Sequence, residues 1–450
     1  MSTTTSLQKN PAKEAARDLA KKLMRAGHET YFAGGCVRDT LLGQTPKDFD
    51  IATAATPKQV AKIIENTFPV GEHFGVMLAH AGEHAFEIAT FRTDGSYADG
   101  RRPESVEFAS AEEDAQRRDF TINGLFEDPL TGEIIDHVGG RKDLDLGKLR
   151  AIGNPIARFQ EDALRLMRAV RFASRLNLHI ETKTMAAIKE WAPQLNRMAI
   201  ERTREEFSKI LTHPNRTRGL LLLEQTGLLD QFLPEFKALR TCQQSPDHHP
   251  EGDVHIHTLM MIESLPKNAD LELVLATILH DIAKPKTQEK HPGGRISFHG
   301  HESLGAEMTK EILGRMKFPT KTIDNVASLV DAHMKPHHAK EMKRSTVRRL
   351  LGRPDIENLL NLHLADCVCS NGDLSTHTLL RSAQIEFQST PPVPERLITG
   401  KDLIDRGLKP GPAFRKILED AQTEQLEGNI NSREDALNWL AQINLDPDLN

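Results

Sequence analysis

Two aspartates one residue apart, Asp48 and Asp50, close the stretch GGCVRDTLLGQTPKDFDI at residues 34–51. On a strand, residues i and i+2 point to one face, so the two carboxylates can hold Mg²⁺ together and leave its other positions to water and substrate phosphate. Gly34 and Gly35 open a helix and let the backbone approach a triphosphate closely, while Arg38 in the next turn supplies positive charge. Taken alone, an Asp-x-Asp is more often a solvated or capping pair. Its neighbours decide the reading.

Three further groups could do chemistry. Arg117-Arg118-Asp119-Phe120-Thr121-Ile122-Asn123 concentrates charge and hydrogen-bonding groups before an apolar stretch. Glu161-Asp162-Ala163-Leu164-Arg165 places acids four and three residues before an arginine, so on a helix each acid shares its face; by itself this is more often a helix-stabilising ion pair. The run LHDIAK carries His280, Asp281 and Lys284, with His257 upstream and His299, His301, Glu302, His333 and Asp366 downstream. Imidazole and carboxylate together suit Mn²⁺, Fe²⁺, Ni²⁺ or related ions.

The order GG-x-VRD, a short spacer, then D-x-D resembles the signature of the polymerase-β-like nucleotidyltransferases, specifically the class II tRNA nucleotidyltransferase and bacterial poly(A) polymerase family. The resemblance runs from about residue 30 to 215. It implies a template-independent enzyme that completes the tRNA 3′ end with CCA from CTP and ATP by metal-assisted phosphoryl transfer. Glu87, in HAFEIATF, is then the candidate third carboxylate beside Asp48 and Asp50. Arg118 and Asp119 are expected at the ribose of the incoming nucleotide, Arg117 at the triphosphate and Asn123 within the same sugar-recognition motif. Asp162 and Arg165 fall where the family reads the base. An ionised Asp only accepts hydrogen bonds and Arg only donates them, which complements the amino group and ring nitrogen of C and A and mismatches U and G. Arg168 and Arg171 also match the family and are expected to grip the triphosphate or the tRNA acceptor end; Arg175 on the same face is equally a solvated residue.

The histidine-rich segment resembles the HD metal-hydrolase superfamily. That likeness implies a first metal site of His257, His280, Asp281 and Asp366, with His301 and His333 joining a second ion, and Lys284 stabilising developing charge in a phosphohydrolase reaction. His248, His249, His337 and His338 lie outside the superfamily pattern and read as surface residues. The polar stretch Asp94 to Glu104 looks like the family's flexible loop and argues for addition of the terminal A. Gly400–Leu403 and Gly411–Lys416 resemble the end of many bacterial members, where a helix N-terminus serves equally as a phosphate site or as simple helix initiation.

These residues need particular elements to position them. An opening helix is predicted over 12–27 and strands over 30–33, 50–52, 76–79, 86–91 and 106–108. From Arg158 the pattern becomes helical, with Ala163, Leu166, Met167, Val170 and Ala173 at helical spacing and later helices at 183–193, 201–212 and 216–227. Twelve of the 20 histidines lie between His248 and His363, which marks a further domain. Pro391 to Pro394 marks another boundary, and a helix begins at Pro412 and runs to about 426. The expected fold is α+β: a polymerase-β-like head with a mixed sheet at 1–150, an all-α neck at 151–240, an all-α HD domain at 241–390 and a helical tail at 391–450.

With 450 residues, 38% apolar and 27% charged, several cores are expected. The four cysteines are too scattered for a disulfide framework, and no signal-peptide or membrane-spanning pattern is visible, so the expectation is a cytoplasmic protein with free thiols. A net charge of −6 argues against a uniformly basic nucleic-acid binder, yet arginines cluster at 101/102, 117/118 and 158–175, leaving room for a basic lane. Two rivals share most of these features: an A-adding enzyme or poly(A) polymerase, and an HD phosphohydrolase whose head only binds RNA.

Overall fold

A computed structural model describes residues 10–71, 75–94, 106–245, 252–387 and 391–443. The chain divides into two compact units, Met1–Pro234 and Glu235–Asn450. The loop at 95–104 with Arg101 and Arg102, and the pair His248 and His249, lie outside the described residues.

The first unit begins with helix α1 (Pro11–Arg25), whose start is set by Pro11 and by the Asn10 side chain accepting from the Ala12 and Lys13 amides. Strand β1 (Thr30–Ala33), helix α2 (Gly35–Leu41), β2 (Ile51–Thr53), α3 (Pro57–Ile63), β3 (Thr67–Gly71), β4 (Val76–Ala81) and β5 (His84–Thr90) follow. After them come the pair β6 (Arg92–Asp94) and β7 (Val106–Phe108), helix α4 (Ala111–Gln116), a 3₁₀ turn at Thr121–Asn123, β8 (Leu125–Glu127), β9 (Ile134–Asp136) and α5 (Gly140–Asp145). The main sheet has seven strands in the order β3-β4-β5-β2-β1-β8-β9. It is mixed: β2 runs parallel to β5 with Ile51 opposite Ile88, while β1 is antiparallel to both β2 and β8.

Alternation splits the sheet's side chains between two cores. Phe32, Ile51, Phe86 and Ile88 pack with Ala16, Leu19 and Leu23 of α1 on one face, and Ala33, Ala52, Phe91 and Phe126 pack with Ala111 and Ala115 of α4 on the other. Strands β3, β8 and β9 were not anticipated. Pro69 within β3 argues against a strand by composition, and β3 tolerates it as an edge strand with a bulge between Pro69 and Gly71. Strand β8 is buried at all three positions and so shows no alternation.

Helices α6 (Pro155–Glu161), α7 (Leu164–Arg175), α8 (Thr182–Trp191), α9 (Ile200–Leu211) and α10 (Arg216–Gln225) complete the described helical part of this unit. The helical pattern read through residues 161–165 is interrupted: Asp162 takes an extended conformation between α6 and α7.

The second unit is helical apart from a short pair of two-residue strands. Its helices are α11 (Val254–Ser264), α12 (Leu271–Leu279), α13 (Lys284–Thr287), α14 (His301–Arg315), α15 (Thr320–Ala332), α16 (Arg344–Leu351), α17 (Ile356–Cys369), α18 (Ser375–Glu386), α19 (Gly400–Ile404), α20 (Pro412–Glu427) and α21 (Arg433–Gln442). Ile398, Leu403, Ala421, Ile430, Ala436 and Leu440 form an apolar cluster of their own near its end. Among the described residues no helix is long and apolar enough to cross a membrane, and all four cysteines are buried.

Candidate functional site

Asp50 lies one residue before Ile51 on β2, and Glu87 lies one residue before Ile88 on the neighbouring parallel strand. Ile51 and Ile88 face the α1 core, so the pleat sends both carboxylates to the opposite face, and Asp48, two residues before Asp50, follows them. Asp48 and Asp50 stand in the extended lead-in to β2 rather than within it, and all three acids are exposed. Desolvation by the surrounding protein, then repulsion from Glu87 and from Asp48, push the Asp50 carboxyl up to about 6 against the pull of Arg118. Since Asp50 keeps open surface, the repulsion is the part a divalent cation relieves, and three oxygen-bearing groups are the donor set a hard ion takes.

Behind these acids is a tightly cross-braced scaffold. Gly34 has φ 71° and a Cβ there would sit 2.8 Å from an Arg118 nitrogen, so only glycine allows the guanidinium this close to the turn. Arg117 and Arg118 both grip Asp114, at 2.7 and 2.9 Å, and Arg118 also donates to the Asn123 carbonyl at 3.2 Å. Burial alone would raise the Asp114 carboxyl, but the two arginines hold it below the usual range. Asp119 accepts from the Phe120 amide and Asn123 Nδ2 on one oxygen and from Arg168 on the other, at 2.6 to 2.9 Å.

Arg38 is buried, with its guanidinium bound to Asp39 and to the Asn123 side-chain oxygen. It is therefore not positioned as the free charge over a triphosphate that its spacing suggested. Arg38, Arg168 and Arg171 gather around the Phe172 ring at 5.1, 5.3 and 4.3 Å, and Arg171 pairs with buried Glu206. Arg175 reaches Asp39 at 3.5 Å. The turn carrying Thr121 is fastened from below: Thr121 donates to Asp143 at 2.8 Å, and Gly140 approaches so closely that a Cβ would overlap the Thr121 carbonyl oxygen.

The Glu161-Asp162-x-x-Arg165 group departs from the single-helix expectation. Arg165 pairs with Glu161 and donates to the carbonyls of Arg158 and Arg117, whereas Asp162 caps the Leu164 amide and pairs with Arg202 at 3.0 Å. The break after α6 explains this, because an extended Asp162 no longer shares a helical face with Arg165.

In the second unit the structure brings the predicted histidines and aspartates together around a cavity of about 600 Å³. His257 lies 3.2 Å from Asp366, and Asp281 has His280 at 3.1 Å, His301 at 3.4 Å, His333 at 3.9 Å and Lys284 at 2.7 Å. His280, His301 and His333 each place Nδ1 against the carbonyl three residues earlier, those of Thr277, Phe298 and Val330. A ring that donates from Nδ1 keeps a lone pair on Nε2, the tautomer a metal takes. His301 and His333 then bring two Nε2 atoms within 3.2 Å of each other, a repulsive pair of acceptors that a cation relieves.

Burial, then the charge of His280, drops His333 to about 3, and burial also lowers His301, so both rings are neutral and ligand-competent. Burial opposes ionisation of Asp281, but His280 and Lys284 hold it well below the usual carboxylate range. The two groups His257/His280/Asp281 and Asp281/His301/His333 have spacing that can hold metal ions. Lys284 also donates to Gln244 at 2.7 Å.

His337 was read as a surface residue, yet its Nε2 lies 2.8 Å from Asp366 and its ring packs edge-on against buried His363. Its place outside the HD order hid it. His363 carried a readable signal, standing three residues before Asp366 on α17 and so on its face. His338 is exposed, as expected.

Residues 30–150 match the poly A polymerase head domain, 177–239 the probable RNA and SrmB-binding site of polymerase A, and 254–371 the HD domain. A CCA-adding enzyme of Levilactobacillus brevis is 34% identical over 429 residues, 94% of this chain and 96% of that protein. The chain belongs to the CCA-adding enzyme family. Within that family, the enzyme of Limosilactobacillus reuteri is 48% identical over 225 residues, 49% of this chain and 55% of its own length, so this chain spans about half of such relatives. The crystal structure of a Bacillus stearothermophilus CCA-adding enzyme in complex with CTP superposes with a TM-score of 0.73 at 28% identity, covering 96% of this chain and 98% of that one.

Proposed function

We propose that this protein adds C, C and A to the 3′ end of tRNA from CTP and ATP without a nucleic-acid template. The observation that carries the reading is the set Asp48, Asp50 and Glu87, three like charges on one face of adjoining parallel strands beside the Gly34 turn. Mg²⁺ held by Asp48 and Asp50 would activate the RNA 3′-hydroxyl and neutralise charge on the departing pyrophosphate. Glu87 adds negative potential that favours a divalent ion. Gly34 and Gly35 give the triphosphate close access to backbone, with Arg117 supplying charge to it and Arg118 serving the ribose, both held on Asp114.

In this reading Asp119 and Asn123 hold the sugar-reading turn, and a ribose hydroxyl would share Asp119 with Arg168. Arg38, Arg168 and Arg171 brace the same turn from beneath, a positioning role in place of the direct phosphate contact expected from sequence. Asp162, in the break between α6 and α7, and Arg165, in the first turn of α7, read the base, Arg202 orienting the acceptor and Glu161 the donor. An unmatched buried polar group costs about 1–3 kcal/mol, enough to disfavour U and G.

For the second unit we propose a metal-dependent phosphohydrolase centre of His257, His280, Asp281 and Asp366, with His301 and His333 serving a second ion. Mn²⁺, Ni²⁺ or Fe²⁺ would supply Lewis acidity there. Lys284 holds Asp281 ionised and places an ammonium on the cavity wall, where it can offset charge on a phosphoester. The functional parts run over 1–150, 151–240, 241–390 and 391–450, and we place the enzyme in the cytoplasm with tRNA, ATP and CTP as partners.

Transcripts ending before CCA, after C and after CC, incubated with CTP and ATP singly and together and then sequenced, test the assignment. Restoration of CCA from all three is expected. Extension of the CC-ended transcript alone would replace it with A addition, and long A tails on unrelated RNA with poly(A) polymerase activity.

A further inference from the structure

We propose that His337, His363 and Cys367 form a separate thiolate-containing metal site for a borderline-soft divalent ion of the Zn²⁺ class, beside the HD centre and independent of whether that centre is catalytic. Each of the three residues offers a ligand atom within 4.8 Å of the other two, and no residue of the HD set belongs to this group. The donor chemistry also differs. The HD centre presents imidazoles and carboxylates, whereas this group has two imidazoles and a thiol, the combination that selects zinc-like ions.

The three ligand atoms are close enough to close on a tetrahedral ion after side-chain rotation. With Zn–S about 2.3 Å and Zn–N about 2.05 Å, two ligands at the tetrahedral angle stand about 3.6 Å apart. Cys367 Sγ lies 3.6 Å from the His363 ring nitrogens, and the His337 and His363 ring centres are 4.5 Å apart at 88°. Equidistant from both nitrogens, the thiol sits over the His363 ring, where it makes only a weak hydrogen bond; a turn of the two side chains lets them share a cation.

Outer partners are already present. His363 Nε2 meets Thr376 Oγ1 at 3.0 Å and His337 Nε2 meets Asp366 at 2.8 Å, so each ring is oriented through one nitrogen and can present the other. A hydroxyl or carboxylate on the far nitrogen is how metal-binding histidines are commonly fixed. Asp366 is the wall between the two places: one of its oxygens faces His257 and the other faces His337. His363, Asp366 and Cys367 share a face of α17 by spacing. His337, Asp366, Cys367 and Thr376 line the cavity, which gives an ion an entry path and leaves the fourth tetrahedral position to water.

Loading the full-length protein with Co²⁺ tests this, because a thiolate on cobalt gives an intense near-ultraviolet charge-transfer band that imidazole and carboxylate do not. The wild type should show the band, and Cys367→Ser should lose it together with one bound ion per chain while retaining nucleotide addition. Should Cys367→Ser not fold, the triple variant Cys36→Ser, Cys242→Ser, Cys369→Ser decides, since the band must survive when Cys367 is the sole thiol. Asp281→Ala should keep the band even as ions leave the HD centre, which separates failure of one site from failure of the other. Absence of the band from the wild type, its survival in Cys367→Ser or its loss in the triple variant would overturn the proposal.

Discussion

In the head, Asp48, Asp50 and Glu87 stand exposed with their charges mutually repelling, while the buried polar residues around them are structural braces. In the HD unit the reverse holds: His257, His280, Asp281, His301 and His333 are themselves buried and turned toward one another. An open carboxylate set suits an ion that is completed from solution, because a hard ion keeps positions for water and phosphate oxygens. A buried imidazole set suits a resident ion, because its ligands are oriented before anything binds. Charge and burial are thus divided differently between the two units.

The largest expected effect breaks the comparison at its most direct point. Asp50→Ala should lower nucleotide addition on the order of 10³-fold or more, corresponding to several kcal/mol of lost charge stabilisation, while Asp281→Ala leaves it within about twofold. Single-turnover incorporation on a CC-ended transcript measures both, and equal losses would show that the two centres do not act separately.

A smaller effect belongs to base choice. Arg165→Ala should raise misincorporation from UTP and GTP by roughly 10- to 100-fold, the worth of one unmatched group, with tRNA affinity changed far less. Unaltered discrimination would remove Arg165 from the reading pair.

The smallest effect is in pH dependence, where open and braced acids have opposite signs. Asp114, Asp119 and Glu206 are each opposed first by burial yet held below the usual range by arginines, so their stabilisation is complete above roughly pH 4 and fades as pH falls through their folded pKa values. Asp50 is raised to about 6, so its contribution is present below roughly pH 4 and is lost as pH rises toward 6. Without divalent ions, Asp50→Asn should therefore gain urea resistance relative to wild type at pH 7 and not at pH 4. A pH-independent difference would mean that Asp50 is not under repulsion.

Much of this was legible in the sequence because motif order survives folding. Strand β1, the opening helix and the helices after residue 158 followed from periodicity, and the gathering of the HD histidines and aspartates followed from their order along the chain. Pairing partners were not legible. Asp162 meets Arg202 and Arg168 meets Asp119, contacts between separate elements that no spacing rule encodes. Arg38 looked available because its burial depends on Phe172 and Asn123, far along the chain. His337 was hidden likewise, since its partner Asp366 sits on another helix.

Gly140 carries a consequence for how this sequence can vary. With its backbone pressed against the Thr121 carbonyl, any side chain at position 140 would displace the turn that holds Asp119 and Asn123. The shape of the turn is therefore inherited partly through a residue outside the motifs read from the sequence. Substitution there would be expected to act like an active-site lesion, although Gly140 itself offers no functional group.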